Sequence, residues 1–215
     1  MVIVISGSCK KQEIALVPSV TLNVANVSGN VSNALVRTPF GRNWSDLIGV
    51  YQGTSRVFTI LAGSSEITVN SQTDTAKELY TTNVNALGGS IYSLFFAGNM
   101  GNDVLLVKDT IITYMDSSFG VRFVNFSIYS GSISTNISGS SAKEVSGLAY
   151  KGISSFKKYP GNGDYFTNGY QFEFRNAVTD SLVASCFVTP PIFNNVTLVL
   201  YSPNGSHSVM TMNNY

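Results

Sequence analysis

Charge is scarce in this chain. Only 12% of its 215 residues are Asp, Glu, Lys or Arg, and 13 basic side chains stand against 12 acidic ones, a net charge of +1. So small a balance projects no long-range field toward phosphate backbones or anionic lipid, which excludes nucleic acid as a partner. Histidine occurs once, at His207, and cysteine twice, at Cys9 and Cys186. These give none of the short ligand spacings that zinc requires. Asn162 and Asp164 could offer oxygens to calcium, but no spaced acidic loop surrounds them. No Gly-x-x-x-x-Gly-Lys loop is present, and the glycines are distributed as turns. No cofactor is expected. Beyond Cys9 no stretch reaches the roughly 18–20 uninterrupted apolar residues of a membrane span.

What the chain has is a large apolar fraction under a neutral polar coat. Hydrophobic residues make up 44%, and Ser, Thr and Asn together account for 66 of the 215 positions. That suffices for one large or two small cores, since domains run to about 100–150 residues.

The chain opens M-V-I-V-I-S-G-S, followed by Cys9, Lys10 and Lys11. A short apolar run passing into small residues reads as the tail of a signal peptide. A Cys at that junction resembles the lipobox of bacterial lipoproteins and marks Cys9 for lipidation. No basic region precedes the run, and Ser6 stands where lipoboxes carry an aliphatic residue. The competing reading is an ordinary buried first strand over Val2 to Ile5. Lipidation would preclude a Cys9–Cys186 disulfide, the pairing otherwise suggested for an exported chain with two cysteines. Cys186, in the run S-L-V-A-S-C-F-V, then reads as a small core residue. Several acyl chains at Cys9 would make a stable membrane anchor.

Self-comparison shows the chain written twice. Leu22 to Ser28 aligns with Val121 to Ser127 at an offset of 99, and Gly49 to Ser55 lies over Leu148 to Ser154 in the same phase. Further on the offset grows to 105, with Ile67 to Val69 over Phe172 to Phe174 and Ile91 to Phe96 over Val196 to Tyr201. The extra residues belong to the turn-rich stretch Tyr159 to Asp164. This divides the chain into a leader and tether over 1–18 and two repeats over 19–117 and 118–215. Alternating runs such as Tyr170 to Arg175 read as half-buried antiparallel strands. Similar runs lie at 20–27, 55–61, 65–70, 77–82, 89–97, 103–114, 119–128, 182–189 and 195–202, and no stretch carries a capped helical period. About seven short strands per repeat predict an all-β chain of two tandem immunoglobulin-like antiparallel β-sandwich domains. The repeated Tyr-x-Gly-x-Ser, at Tyr51 and Tyr150, reads as a structural bend in which Gly supplies the unusual backbone angle and Tyr packs beside it.

Gly120 to Ser127, Leu148 to Gly152 and the paired runs 170–175 and 182–188 resemble the bacterial domain of unknown function 4397, in the tandem lipoprotein form common in Bacteroidota, with Cys-Lys-Lys at the mature start. The likeness spans nearly all of 19–215, strongly in the second repeat and weakly in the first. Ile128 to Ser132 replaces the family's Asp-containing stretch, and the first repeat lacks the opening Val-Arg. The resemblance implies an envelope protein, at the outer membrane on its periplasmic face or the cell surface, and transfers no catalytic residue.

Signals for catalysis are weak. His207 lies in Pro203 to His207 near the chain end and reads as a solvated tail residue. Ser-x-x-Lys occurs at Ser140, Ser154 and Ser155 without the companion motifs of penicillin-recognising enzymes. Seven Asn-x-Ser/Thr triplets, at Asn26, Asn30, Asn43, Asn125, Asn136, Asn195 and Asn204, exceed the about four that this composition yields by chance, and three fall inside predicted strands. They read as compositional. Binding suits the coat better, with a protein or a neutral glycan as ligand. Sugars want flat aromatic faces beside amides and hydroxyls, and Trp44, Tyr159, Tyr165 and Phe166 sit in or beside the two long loops, where binding residues are commonly displayed. The expected function is a non-catalytic binding or structural module, with a pilus, fibre or adhesin subunit as the alternative and a hydrolase further off.

Overall fold

In the computed structural model, residues 18–38, 48–99, 103–162 and 168–214 are described, and they form sixteen strands. The first repeat contributes β1 (Ser19–Asn26), β2 (Asn33–Arg37), β3 (Ile48–Tyr51), β4 (Thr54–Leu61), β5 (Gly63–Ser71), β6 (Glu78–Ala86), β7 (Ile91–Ala97) and β8 (Asp103–Lys108). The second contributes β9 (Ser118–Phe126), β10 (Ile133–Ile137), β11 (Lys143–Leu148), β12 (Lys157–Pro160), β13 (Tyr170–Asn176), β14 (Leu182–Val188), β15 (Asn195–Tyr201) and β16 (Ser208–Asn214). Eight strands per repeat, one more than expected, assemble into four sheets of four.

Sheet 1 has the order β4-β1-β7-β8 and sheet 2 the order β3-β2-β5-β6; sheet 3, β12-β9-β15-β16, and sheet 4, β11-β10-β13-β14, repeat that wiring eight strands later. Each repeat is a β-sandwich. Pairing is antiparallel, as expected, with one parallel pair at the centre of each of sheets 1 and 3, where β1 runs parallel to β7 and β9 parallel to β15. Register also refines the repeat. Leu22 pairs with Tyr92 and Val121 with Val196, so β15 follows β7 at an offset of 104, while Val36 with Val69 and Thr135 with Phe174 keep 105 for β13 over β5. One residue matters because side chains alternate between faces. The offset of 104 puts Leu94 and Leu198 both on the faces turned into their own sandwiches.

Each sandwich closes over its own core. Leu22, Val24, Ile60, Ile67, Val69 and Leu94 fill the first, and Phe119, Phe123, Tyr159, Tyr170, Phe172 and Leu198 the second. The second is the more aromatic, with Phe123 edge-on to Phe172 and Phe174 at centroid distances of 5.4 and 6.0 Å. A third core joins the two sandwiches. Ala25, Val27, Phe95 and Ala97 on the outer face of sheet 1 pack against Val124, Phe126, Val199, Tyr201, Met210 and Met212 of sheet 3. The molecule is therefore a four-layer stack, sheet 2 over sheet 1 over sheet 3 over sheet 4.

The central strands are consequently not half-buried, as the alternation suggested. All nine residues of β9 and all seven of β15 are buried, because their second face meets the other sandwich. The expected run 103–114 ends as a strand at Lys108, since Asp109 turns into the interface. Strands β2, β3, β10, β11 and β16 are short or polar and carried too little alternation to be read.

Candidate functional site

The functional candidates named from sequence divide sharply in the structure. Cys9, Trp44, Tyr165 and Phe166 lie outside the described residues. Tyr159 does not present a binding face. Its ring is only 5% exposed, wedged between Phe119, Tyr170 and Phe172 in the second core, and its hydroxyl donates to Glu144 Oε2 at 2.7 Å. The apolar core claims it because β12 pairs with β9 across Tyr159–Phe119, which fixes the ring's direction inward.

The two tyrosines of the repeated bend also part company. Tyr51 stands 58% exposed. Tyr150 packs edge-on against Phe126 and donates to Asp103 Oδ2 of the first sandwich at 2.7 Å, and Lys151 Nζ joins the same carboxylate at 2.6 Å. Those hydrogen bonds hold the Asp103 carboxyl below its usual range. At the bend itself Gly53 adopts φ +72°, and a Cβ there would run into the Tyr201 hydroxyl, so only glycine lets the sandwiches approach. In the second copy the left-handed residue is Lys151, at φ 62°, one before Gly152.

At the opposite end of the inter-sandwich face lies a buried polar knot. Arg122 Nη1 is 2.8 Å from Asp109 Oδ1, its Nε donates to Thr197 Oγ1 at 2.8 Å and its Nη2 to Ser93 Oγ at 3.1 Å. Ser93 and Asn214 both donate to Asp109 Oδ2, at 2.7 and 3.2 Å. Phe156 covers the guanidinium, 4.7 Å from ring centroid to Cζ. Burial pulls the arginine's pKa below its usual value, and the Asp109 carboxylate offsets only part of that. Arg122 and Asp109 meet there as a buried ion pair, with side chains 4% and 0% exposed, so the knot is a clamp.

His207 is not a free tail residue. It precedes β16, is half-buried, and places Nδ1 3.0 Å from Ser127 Oγ. Ser127 Oγ also accepts from Ser130 N–H at 3.1 Å and from Ser202 Oγ at 2.8 Å, which leaves its own proton for His207. Ser127 is buried, and no carboxylate is bonded to His207 among the described residues. A Ser–His pair sealed this way orders a turn; it lacks the orienting acid and the exposed hydroxyl that acyl transfer demands. Cys186 faces the second core, where burial pushes its thiol up to about 12 and leaves it unreactive at neutral pH.

Two of the Asn-x-Ser triplets turn out to be the frame of the repeat. Asn26 Nδ2 donates to Val31 and Val50 carbonyls, each at 3.0 Å, while its Oδ1 accepts from Ser28 N–H at 3.2 Å. Asn125 does the same with Gly131 and Leu148, at 3.0 Å each, and with Ser127 N–H at 3.0 Å. Both are fully buried, so neither can carry a glycan.

Sequence reasoning passed over the outer face of sheet 4. There Asn136, Gly139, Ser140, Ser141, Lys143, Glu173, Arg175 and Asp180 line a cleft of about 370 Å³. Glu173 accepts from Ser138 Oγ at 2.8 Å, from Arg175 Nε at 2.9 Å and from Asn136 Nδ2 at 3.2 Å, which lowers its pKa and keeps it ionised. The sequence hints were the outward set of the Tyr170 to Arg175 alternation and the Ser-x-x-Lys from Ser140 to Lys143, both ends of which line the cleft.

No family model matches the chain, and no curated protein matches it. Among solved structures it is similar to a family 26 carbohydrate-binding module of Amy13K from Eubacterium rectale, in complex with maltoheptaose, at 11% identity over 90% of this chain and 97% of that one with a TM-score of 0.29. It is also similar to a candidate adhesin from Bacteroides ovatus, at 9% identity over 93% and 95% of the two chains with a TM-score of 0.23. Superpositions this loose carry no argument about the chain, whose fold is read from its own sheets.

Proposed function

We propose that the chain is a non-catalytic binding module of the bacterial cell envelope, held on a lipid at Cys9, with a neutral glycan as its ligand. The observation that carries this reading is how the reactive side chains are spent: Arg122 and Asp109 clamp the interface, Ser127 and His207 order a turn, and Cys186 packs partly buried against the second core. What reaches solvent among the described residues is a surface poor in charge, where hydroxyl and amide side chains are interspersed with exposed apolar ones such as Tyr129, Val178 and Phe187. Such a surface suits an uncharged polyhydroxyl ligand and offers nothing to a polyanion.

The resemblance to the domain of unknown function 4397 supports the envelope placement. Nine residues stand between Cys9 and Ser19, the start of β1, a reach of at most about 35 Å. The loops with Trp44 and with Tyr165 and Phe166 attach after Arg37 and after Pro160, at the same end of the stack as Ser19. A lipid at Cys9 would hold that end toward the membrane and turn the opposite end outward. A strand-accepting fibre subunit would need a gap, and among the described residues each sheet has its four strands.

Intact mass with metabolic acyl labelling, on the protein isolated from its native cells, tests the anchor. A mature chain starting at acylated Cys9 is expected; an unmodified Cys9 overturns it and revives the disulfide with Cys186. An array of neutral oligosaccharides tests the ligand class, and binding to none of them removes the glycan reading.

A further inference from the structure

The cleft on sheet 4 is built differently from the rest of the surface. Two cations, Lys143 and Arg175, and two anions, Glu173 and Asp180, line it together, in a chain where charged residues are only 12% of the total. Its inner half is rigid. Asn136 is buried, and Glu173 and Arg175 are tied to each other at 2.8 Å and to Ser138, Asn136 and the Asp180 carbonyl. Its outer half is open. Lys143 Nζ and Asp180 Oδ1 face each other at 3.8 Å, beyond hydrogen-bonding distance, and both side chains are well exposed. Asp180 holds a left-handed backbone, φ 56°, in the turn after β13, and Gly139, at φ 80°, leaves open space in the turn after β10.

We infer that this cleft holds a neutral sugar unit, with Lys143 and Asp180 as its recognition pair; the inference rests on the glycan reading above and locates it. Charge balance rejects a ligand of single sign. A vicinal diol fits the spacing, one hydroxyl donating to the Asp180 carboxylate while its neighbour accepts from the Lys143 ammonium. Each of these is a charge-assisted hydrogen bond. The wall behind them offers Asn136, Ser140 and Ser141 as further neutral partners. A volume of about 370 Å³ lies at the small end of ligand sites, enough for a short oligosaccharide segment. A zwitterion would have to replace an existing ion pair, whereas a diol bridges it.

The test takes the neutral oligosaccharide bound on the array and titrates it into the full-length chain, followed by amide NMR. Shifts centred on Gly139, Ser140 and Ser141 are expected. Lys143→Met and Asp180→Asn should each weaken binding about tenfold, the loss of one such hydrogen bond, and Glu66→Gln on the first sandwich should leave it unchanged. The two variants alter exposed groups, and their unperturbed spectra would confirm that the fold persists. Shifts centred elsewhere, or full affinity in both variants, overturn this site while leaving glycan binding intact. Stronger response to glycine betaine than to the sugar overturns the ligand class here. Absence of binding to every neutral glycan overturns both this site and the reading on which it rests.

Discussion

Asn26 and Asn125 show how a single side chain can pin a repeat. Each stands where the first strand of its sandwich ends and ties two carbonyls from separate segments to one amide. Removing the Asn26 amide strands the buried Val31 and Val50 carbonyls, where an unmet polar group costs about 1–3 kcal/mol. Asn26→Ala should therefore lower unfolding free energy by about 2–4 kcal/mol in urea titration, and Asn26→Ser should restore little of it, since a hydroxyl cannot reach both carbonyls. The triplets were legible in sequence as an excess over chance. Their meaning was not, because the carbonyls lie up to 24 residues away.

Among elements, the central strands and the linker that leaves β8 decide the architecture. Alternation in a sequence reveals one buried face. It is silent on the second, and β9 and β15 bury both. A run such as S-F-G-V-R-F-V-N-F carries the signal of two-sided burial in its shortage of charge. Arg122 appeared there as the polar exception; its partner Asp109 arrives from the linker, outside any strand. Arg122→Met alone leaves the Asp109 carboxylate buried without its counter-ion, so we expect a loss of about 3–5 kcal/mol by denaturant titration. Adding Asp109→Leu should recover most of it, and a double variant as unstable as the single one would sink the clamp as described. Asp103 on β8 belongs to the same scale. Its folded pKa is lowered, so the stability it contributes through Lys151 and Tyr150 is present above the ordinary carboxyl pKa and fades as pH falls through the folded value. Asp103→Asn should cost less than about 1 kcal/mol at pH 7, given its partial exposure, and progressively less as pH falls below the ordinary carboxyl pKa.

For the whole molecule, the third core makes two sandwiches into one unit. Phe95 and Phe126 meet at 5.4 Å, and the apolar patch around them is closed by the Arg122 knot at one end and by Gly53 against Tyr201 at the other. Calorimetry should show a single unfolding transition. Phe126→Ala should destabilise by about 3–5 kcal/mol, and Phe126→Arg, which brings an unpaired charge to the patch, should split the transition in two. Two transitions in the unaltered chain would mean that the interface contributes little.

By itself the sequence determined that the chain is all-β, that it is written twice, and that each copy is a sandwich, because strand period and turn residues are local properties carried within a few positions. It could not determine that the copies stack face to face, that Tyr159 belongs to a core, or that His207 meets Ser127 eighty residues away. Those outcomes depend on which faces meet once every strand has paired, and an apolar or hydrogen-bonding side chain near a loop has no preference until the tertiary fold supplies a neighbour. The same holds for the cleft on sheet 4. Lys143 and Asp180 lie on different hairpins, and only the pairing of β10 with both β11 and β13 brings them together.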